Sequence, residues 1–295
     1  MNVAELESFS SSEQFLAHAR GLPRVILEGA SDVELFKSWF EDLQAEFEFM
    51  PAEDVGNFGG GCTAVAPAVR YSWDQDIPAL GVLDRDSLHR LWKWDLLFST
   101  DPAALDGASG DEDVKVASLW EIEAYLLEPQ LMGPWVGVQR KPLPAGATEM
   151  ASALTKALEE CEALLEATPY FAAWHKGGRA CDPRYFRDDK AAHIIQTCQS
   201  AIAAGTDEDK AIAAEVEGHV AALRAAAPVN PAERLVFLLR YVDTKRLLDR
   251  LEHRLKLNTA AHHALKILMQ ERNLHPEELR SFLEEAAERF RALES

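Results

Sequence analysis

Residues Arg24 to Lys37, RVILEGASDVELFK, constrain the fold of this chain more than any other stretch. The segment opens with the branched apolar run Val25 to Leu27, ends that run on the acidic residue Glu28, and breaks at Gly29. Beyond the glycine the pattern becomes helical, with Val33, Leu35, Phe36 and Trp39 on or near one face and Ser31 or Asp32 placed to cap it. Open α/β sheets build their sites where a buried strand delivers a carboxylate to its C-terminal end and then turns into a helix. Glu28 occupies that position.

A second stretch follows the same grammar. Ile77 to Leu83, IPALGVL, reads as another core strand and runs into Asp84-Arg85-Asp86. In an extended segment, residues two apart project to the same side, so Asp84 and Asp86 can share one small volume while Arg85 points away. Two carboxylates so close repel unless a proton or a cation lies between them. A hard divalent cation that takes oxygen ligands, Mg²⁺ above all, suits such a pair.

The third stretch is Val114 to Pro129, VKVASLWEIEAYLLEP. It opens as a strand and continues from Trp120 to Leu127 as a helix start, with Ile122, Tyr125 and Leu126 inward. Glu121 and Glu123 stand at the junction. In a helix two such residues diverge by about 200°, so only one can join a cluster; Glu123 is the first choice and Glu121 the reserve.

Taken together, LEGASD, LDRDS and EIEAYLL resemble the acidic boxes of a TOPRIM domain, and the closest resemblance is to OLD-family nucleases and the standalone TOPRIM nucleases of bacterial anti-phage systems, including the effector of PARIS-type defence. Glu28, Gly29, Ser31 and Asp32 keep the first box of that branch, and Gly59-Gly60-Gly61 is similar to its intervening glycine segment. The last box departs from the pattern at Ala124, where the family more often has Asn; an amide contact goes and the carboxylates stay. The resemblance covers about Pro23 to Pro129. It implies a TOPRIM-like, mostly parallel sheet flanked by helices, and a metal-dependent endonuclease acting on DNA or tRNA, a toxic effector of antiviral defence silenced by a partner ATPase.

Phosphodiester hydrolysis needs a positioned nucleophile and neutralisation of charge in the transition state. Two Mg²⁺ ions roughly 4 Å apart, held by carboxylates from separate segments, supply both. Asp84, Asp86 and Glu123 are the expected metal ligands, with Mn²⁺ as an alternative ion. By the resemblance, Glu28 completes a metal site or serves as general acid/base. Asp32 would complete the second site or orient the other ligands. Lys245, in VDTKRLLDRL, stands where the standalone relatives carry a Gly-Lys-x-Leu element, here with Thr244 in place of the glycine.

The net charge of −19 runs against a freestanding nucleic-acid binder, which usually carries a basic footprint. Either metal ions neutralise the site, or a basic partner supplies the grip, or nucleic acid is not the substrate. A second copy of the chain is a further candidate partner. The most basic and aromatic stretch is residues 174–190, WHKGGRACDPRYFRDDK, where Lys176, Arg179, Arg184 and Arg187 are candidates for nucleic-acid contact alongside Lys245; the plain alternative is a solvated connection between helices. Two rival readings stay open: a non-catalytic TOPRIM-fold regulatory or interaction subunit of a larger complex, and an acidic mimic of nucleic acid.

The 295 residues suffice for two moderate domains. The reading places an α/β domain at 1–135 and an α-helical bundle at 136–295, joined by a Pro- and Gly-rich connector at about 131–148. Residues 1–22 suggest a short helix on the sheet edge. Trp92 and Trp94, beside Arg90 and Lys93, could stack on a nucleic-acid strand, but a buried helix face is the expectation for at least one of them. The glycine turn has no Gly-Lys-Ser or Gly-Lys-Thr, so ATP binding is not expected. Four cysteines without a CxxC pair point to reduced thiols and give no structural zinc; with no signal-peptide pattern and no membrane-length apolar run, the expectation is a soluble cytoplasmic protein.

Overall fold

Short apolar runs build the centre of the molecule. In the computed structural model, which describes residues 21–91, 93–139, 147–176, 191–257 and 261–293, β1 (Arg24–Leu27), β2 (Glu48–Pro51), β3 (Ala79–Leu83) and β4 (Val114–Val116) form one sheet in the order β2-β1-β3-β4. Every pairing is parallel, with Val25 opposite Phe49 and Leu80, and Leu83 opposite Val116. All five residues of β3 are buried, as a parallel sheet covered on both faces requires.

Two helices make the crossovers from β1 to β2 and from β2 to β3. α1 (Ala30–Trp39) buries Val33, Leu35, Phe36 and Trp39, and the Phe36 ring lies 5.9 Å from Phe49 on β2. Its N-cap is Gly29, and Asp32 closes the turn from inside, its Oδ2 accepting the Gly29 N–H at 3.1 Å. The expected cap at Ser31 or Asp32 is therefore corrected: Asp32 is the third helical residue and reaches back to the cap. α2 (Cys62–Asp74) starts at Gly61, whose φ of 82° lies in the left-handed region that glycine adopts freely. Gly81 is dictated by the same helix. A Cβ there would come within 2.6 Å of a Val65 methyl, so α2 lies on β3 only because the strand has no side chain at that point.

The chain divides into two compact units that interleave in sequence. The first holds the described residues up to Asp84, Asp106–Ala117 and the chain from Gln270 onward; the second holds Arg85–Leu105 and Ser118–Met269. A single cut near residue 135 does not separate them.

In the first unit the C-terminal helix, Glu277–Leu293, turns Leu279, Leu283, Ala286, Ala287 and Phe290 inward. The Phe290 ring lies 6.3 Å from Phe47 and 5.9 Å from Trp73. Ion pairs from Arg280 to Asp42 at 2.6 Å and from Arg289 to Asp113 at 2.5 Å flank that apolar seam. This helix, expected in the bundle, is part of the α/β unit.

The second unit is helical: α3 (Ser87–Arg90), α4 (Trp94–Leu97), α5 (Pro129–Gln139), α6 (Ala147–Lys176), α7 (Ala191–Ala203), α8 (Asp207–Ala226), α9 (Pro231–Tyr241), α10 (Thr244–Leu255) and α11 (Ala261–Glu271), the last running past the boundary. Polar caps set several of the starts. Thr206 and Asp209 form a reciprocal box on α8, Asn230 caps α9 ahead of Pro231, and Asp243 accepts the Arg246 N–H at 3.0 Å on α10. The connector expected from Leu131 is instead helical as far as Gln139, because Leu131, Met132, Trp135 and Val136 are fully buried and that burial outweighs Pro134. Among the described residues no helix is long and apolar enough to cross a membrane.

Candidate metal centre

The chain leaves β1 for β2 on one side and returns to β3 on the other, so the C-terminal ends of β1 and β3 form the topological switch point of the sheet. Open α/β sheets bind ligands there. Glu28 is the first residue past β1 and Asp84 the first past β3. Glu28 Oε1 accepts the Asp84 backbone N–H at 3.0 Å, and the Glu28 carbonyl accepts the Gly61 N–H at 3.0 Å. Asp84 and Asp86 lie on the one turn that leaves β3. One carboxylate oxygen from each of Glu28, Asp84 and Asp86 falls within 4.8 Å of the others, and all three side chains are half-buried. Such a set could hold a metal ion.

The spacing of the two aspartates has a different origin from the extended one expected. β3 ends at Leu83, and Asp86 has φ −64° and ψ −15° at the N-cap of α3. A turn, not a strand alternation, brings the carboxylates together. The Asp86 N–H donates to the Trp120 carbonyl at 3.0 Å. Burial pushes the Asp86 carboxyl up to about 6, with Arg90 and Lys245 pulling it down and Asp243 and Glu123 pushing it up.

The Glu121 and Glu123 pair resolves differently from the order of preference given above. Glu121 is extended, at φ −137° and ψ 158°, and caps the 3-10 turn Ile122–Leu126 that carries Glu123. Neither belongs to the group of three. Glu121 is 7% exposed, and its Oε1 takes a hydrogen bond from Lys245 Nζ at 2.6 Å. Its Oε2 is buried and meets no hydrogen-bond donor among the described residues. Burial pushes the Glu121 carboxyl up to about 7 despite the Lys245 ammonium. Burial alone would lower Lys245, but Glu121, Glu123 and Asp243 outweigh it and keep the ammonium charged. Asp243, the N-cap of α10, was not singled out in the sequence.

Asp32 does not join the group of three; its carboxylate takes the Gly29 N–H and the Ser31 hydroxyl, the latter at 3.4 Å. Arg179, Arg184 and Arg187 lie outside the described residues, as does Trp92, and Lys176 is the last residue of α6. Trp94 is buried and stacks on Phe98 at 6.3 Å, a packing role.

No protein-family model, curated protein or solved structure matches this chain. The chemistry of the centre is thus read from its own side chains. Three carboxylates without histidine or thiolate make a hard oxygen donor set, which suits Mg²⁺, Mn²⁺ or Ca²⁺ and disfavours zinc.

Proposed function

We propose that this chain is a Mg²⁺- or Mn²⁺-dependent endonuclease of the TOPRIM type that hydrolyses phosphodiester bonds in DNA or tRNA. The observation that carries this reading is the convergence of Glu28, Asp84 and Asp86 at the switch point of a parallel sheet. In this reading Glu28, Asp84 and Asp86 hold the cation. A bound divalent cation supplies charge neutralisation for the phosphate and acidifies a water. Glu28 is anchored to the Asp84 amide through Oε1, which fixes its carboxylate beside Asp84 at the end of β1. Glu123 and Asp243 add negative potential around Asp86, which favours a cation there over an ionised but empty carboxylate. Lys245 keeps its proton and its bond to Glu121, and so presents fixed positive charge suited to an anionic substrate.

The net charge of −19 supports control by a partner, because long-range repulsion of nucleic acid keeps a free effector idle. By the resemblance of the acidic boxes to standalone TOPRIM effectors, that partner would be an ATPase that brings the substrate close, and the role that of an anti-phage effector. The same charge favours one second reading, a non-catalytic subunit that holds the cation only to order its own fold. The test is incubation of the full chain, alone and with a candidate partner, with DNA and tRNA in Mg²⁺ or Mn²⁺. Cleavage lost in both Glu28→Ala and Asp84→Ala supports the nuclease; cleavage that survives either substitution removes it, and cation binding without cleavage under any condition selects the second reading.

A further inference from the structure

Arg85 stands between the two aspartates in sequence, yet its side chain is only 3% exposed and is spent on backbone carbonyls. Nε donates to the Leu97 carbonyl at 3.0 Å, Nη2 to Leu97 at 2.7 Å and Ser99 at 3.1 Å, and Nη1 to Ser118 at 3.2 Å. The guanidinium carbon lies 4.8 Å from the centre of the Tyr241 ring, and the Tyr241 hydroxyl donates to the same Ser99 carbonyl at 2.8 Å. The planar fork of arginine matches this divergent set of acceptors, which lysine cannot reproduce. Leu97 ends α4, so the guanidinium also meets a carbonyl that the helix leaves open.

A charge so deeply buried is expensive, and an apolar side chain of similar volume often serves packing as well or better. A fixed turn is what the charge secures. Asp84 and Asp86 repel each other, and a loose turn would let them part beyond the reach of one ion. Hydrogen bonds on the turn itself include Asp84 N–H to the Glu28 carboxylate, Asp86 N–H to the Trp120 carbonyl, Leu88 N–H to the Arg85 carbonyl at 3.0 Å and His89 N–H to the Asp86 carbonyl at 2.9 Å.

We propose that Arg85 is a positioning residue of the acidic centre, its guanidinium clamping the carbonyls of Leu97, Ser99 and Ser118 so that the flanking Asp84 and Asp86 are held at cation-binding distance. This inference rests on the metal-binding reading of the same centre.

The test uses the full chain as wild type, Arg85→Lys and Tyr241→Phe. Manganese affinity is measured by calorimetry, and amide exchange is followed residue by residue in metal-free protein. Loss of an outer contact that orients a ligand weakens metal binding about tenfold or more. Arg85→Lys is therefore expected to weaken Mn²⁺ binding about tenfold and to speed exchange at the Asp84 and Asp86 amides, with β2 and the C-terminal helix unchanged. Tyr241→Phe, which keeps the ring and removes the hydroxyl from Ser99, moves both readouts the same way by less, and decides the question if Arg85→Lys does not fold. Unchanged Mn²⁺ affinity in a folded variant overturns the proposal, as does a uniform rise in exchange across the fold. Wild-type protein that binds no Mn²⁺ instead removes the metal-binding reading itself.

Discussion

Glu28 and Asp84, 56 residues apart, are joined by a carboxylate-to-amide hydrogen bond of 3.0 Å across the ends of two neighbouring strands. The bond is a duty of Glu28 to the fold, separable from the cation binding proposed for the same carboxylate. Glu28→Gln keeps an acceptor for the Asp84 N–H and is expected to leave thermal stability nearly unchanged while weakening Mn²⁺ binding at least tenfold. Glu28→Ala loses the acceptor as well and should cost about 1 kcal/mol of stability in addition. Calorimetric titration and thermal unfolding of the pair separate the two duties.

Acid should stabilise the metal-free protein. Asp86 and Glu121 titrate near 3.8 and 4.5 when unfolded and near 6 and 7 in the fold, so the folded chain binds more protons across that interval. Stability then falls as pH rises from about 4 to about 7, the sign for a carboxyl whose folded value is raised. Overall acidity adds a background slope of the same sign. The difference between wild type and Glu121→Gln isolates the site: unfolding curves at pH 5 and pH 8 should converge in the variant by an amount on the order of 1–2 kcal/mol.

The strand ends were legible for a plain reason. Val25 to Leu27 and Ala79 to Leu83 are unbroken apolar runs, and each is followed at once by an acidic residue, so strand and site share one short signal. Contacts between distant segments leave no such trace. Lys245 meets Glu121 across 124 positions, and Asp243, the N-cap of α10, acts on Asp86 through its charge. The local geometry of Asp84-Arg85-Asp86 was also hidden, since strand alternation and a tight turn both place two aspartates on one side. In α5, burial of Trp135 and its neighbours overrode Pro134, a tertiary effect that local propensity does not contain.

Gly81 and Gly133 make a matched pair of opposite sign. A Cβ at Gly81 meets Val65 at 2.6 Å and Val69 at 3.1 Å, whereas at Gly133, inside α5, nothing lies within 4 Å. Gly81→Ala should destabilise by about 1–3 kcal/mol through overpacking. Gly133→Ala should be neutral or stabilising by up to about 1 kcal/mol through helix propensity. Chemical denaturation of both variants checks the register of α2 on β3.

The C-terminal helix should hold through its apolar seam more than through its ion pairs. Phe290→Ala removes a buried ring from beside Phe47 and Trp73 and should cost about 3 kcal/mol. Arg280→Ala breaks the bonds to Asp42 and Glu284, whose side chains are 57% and 52% exposed, and should cost less than about 1 kcal/mol. Thermal unfolding of the two variants ranks the contributions.

Cation binding decides the rest. Calorimetric titration of Mn²⁺ into wild type and Asp84→Asn, at pH 8, above the value of about 6 for the Asp86 carboxyl, is the most direct measurement. Saturable binding in the wild type that is lost or weakened at least tenfold in Asp84→Asn is the predicted result. Equal binding in both proteins, or none in the wild type, would contradict the account.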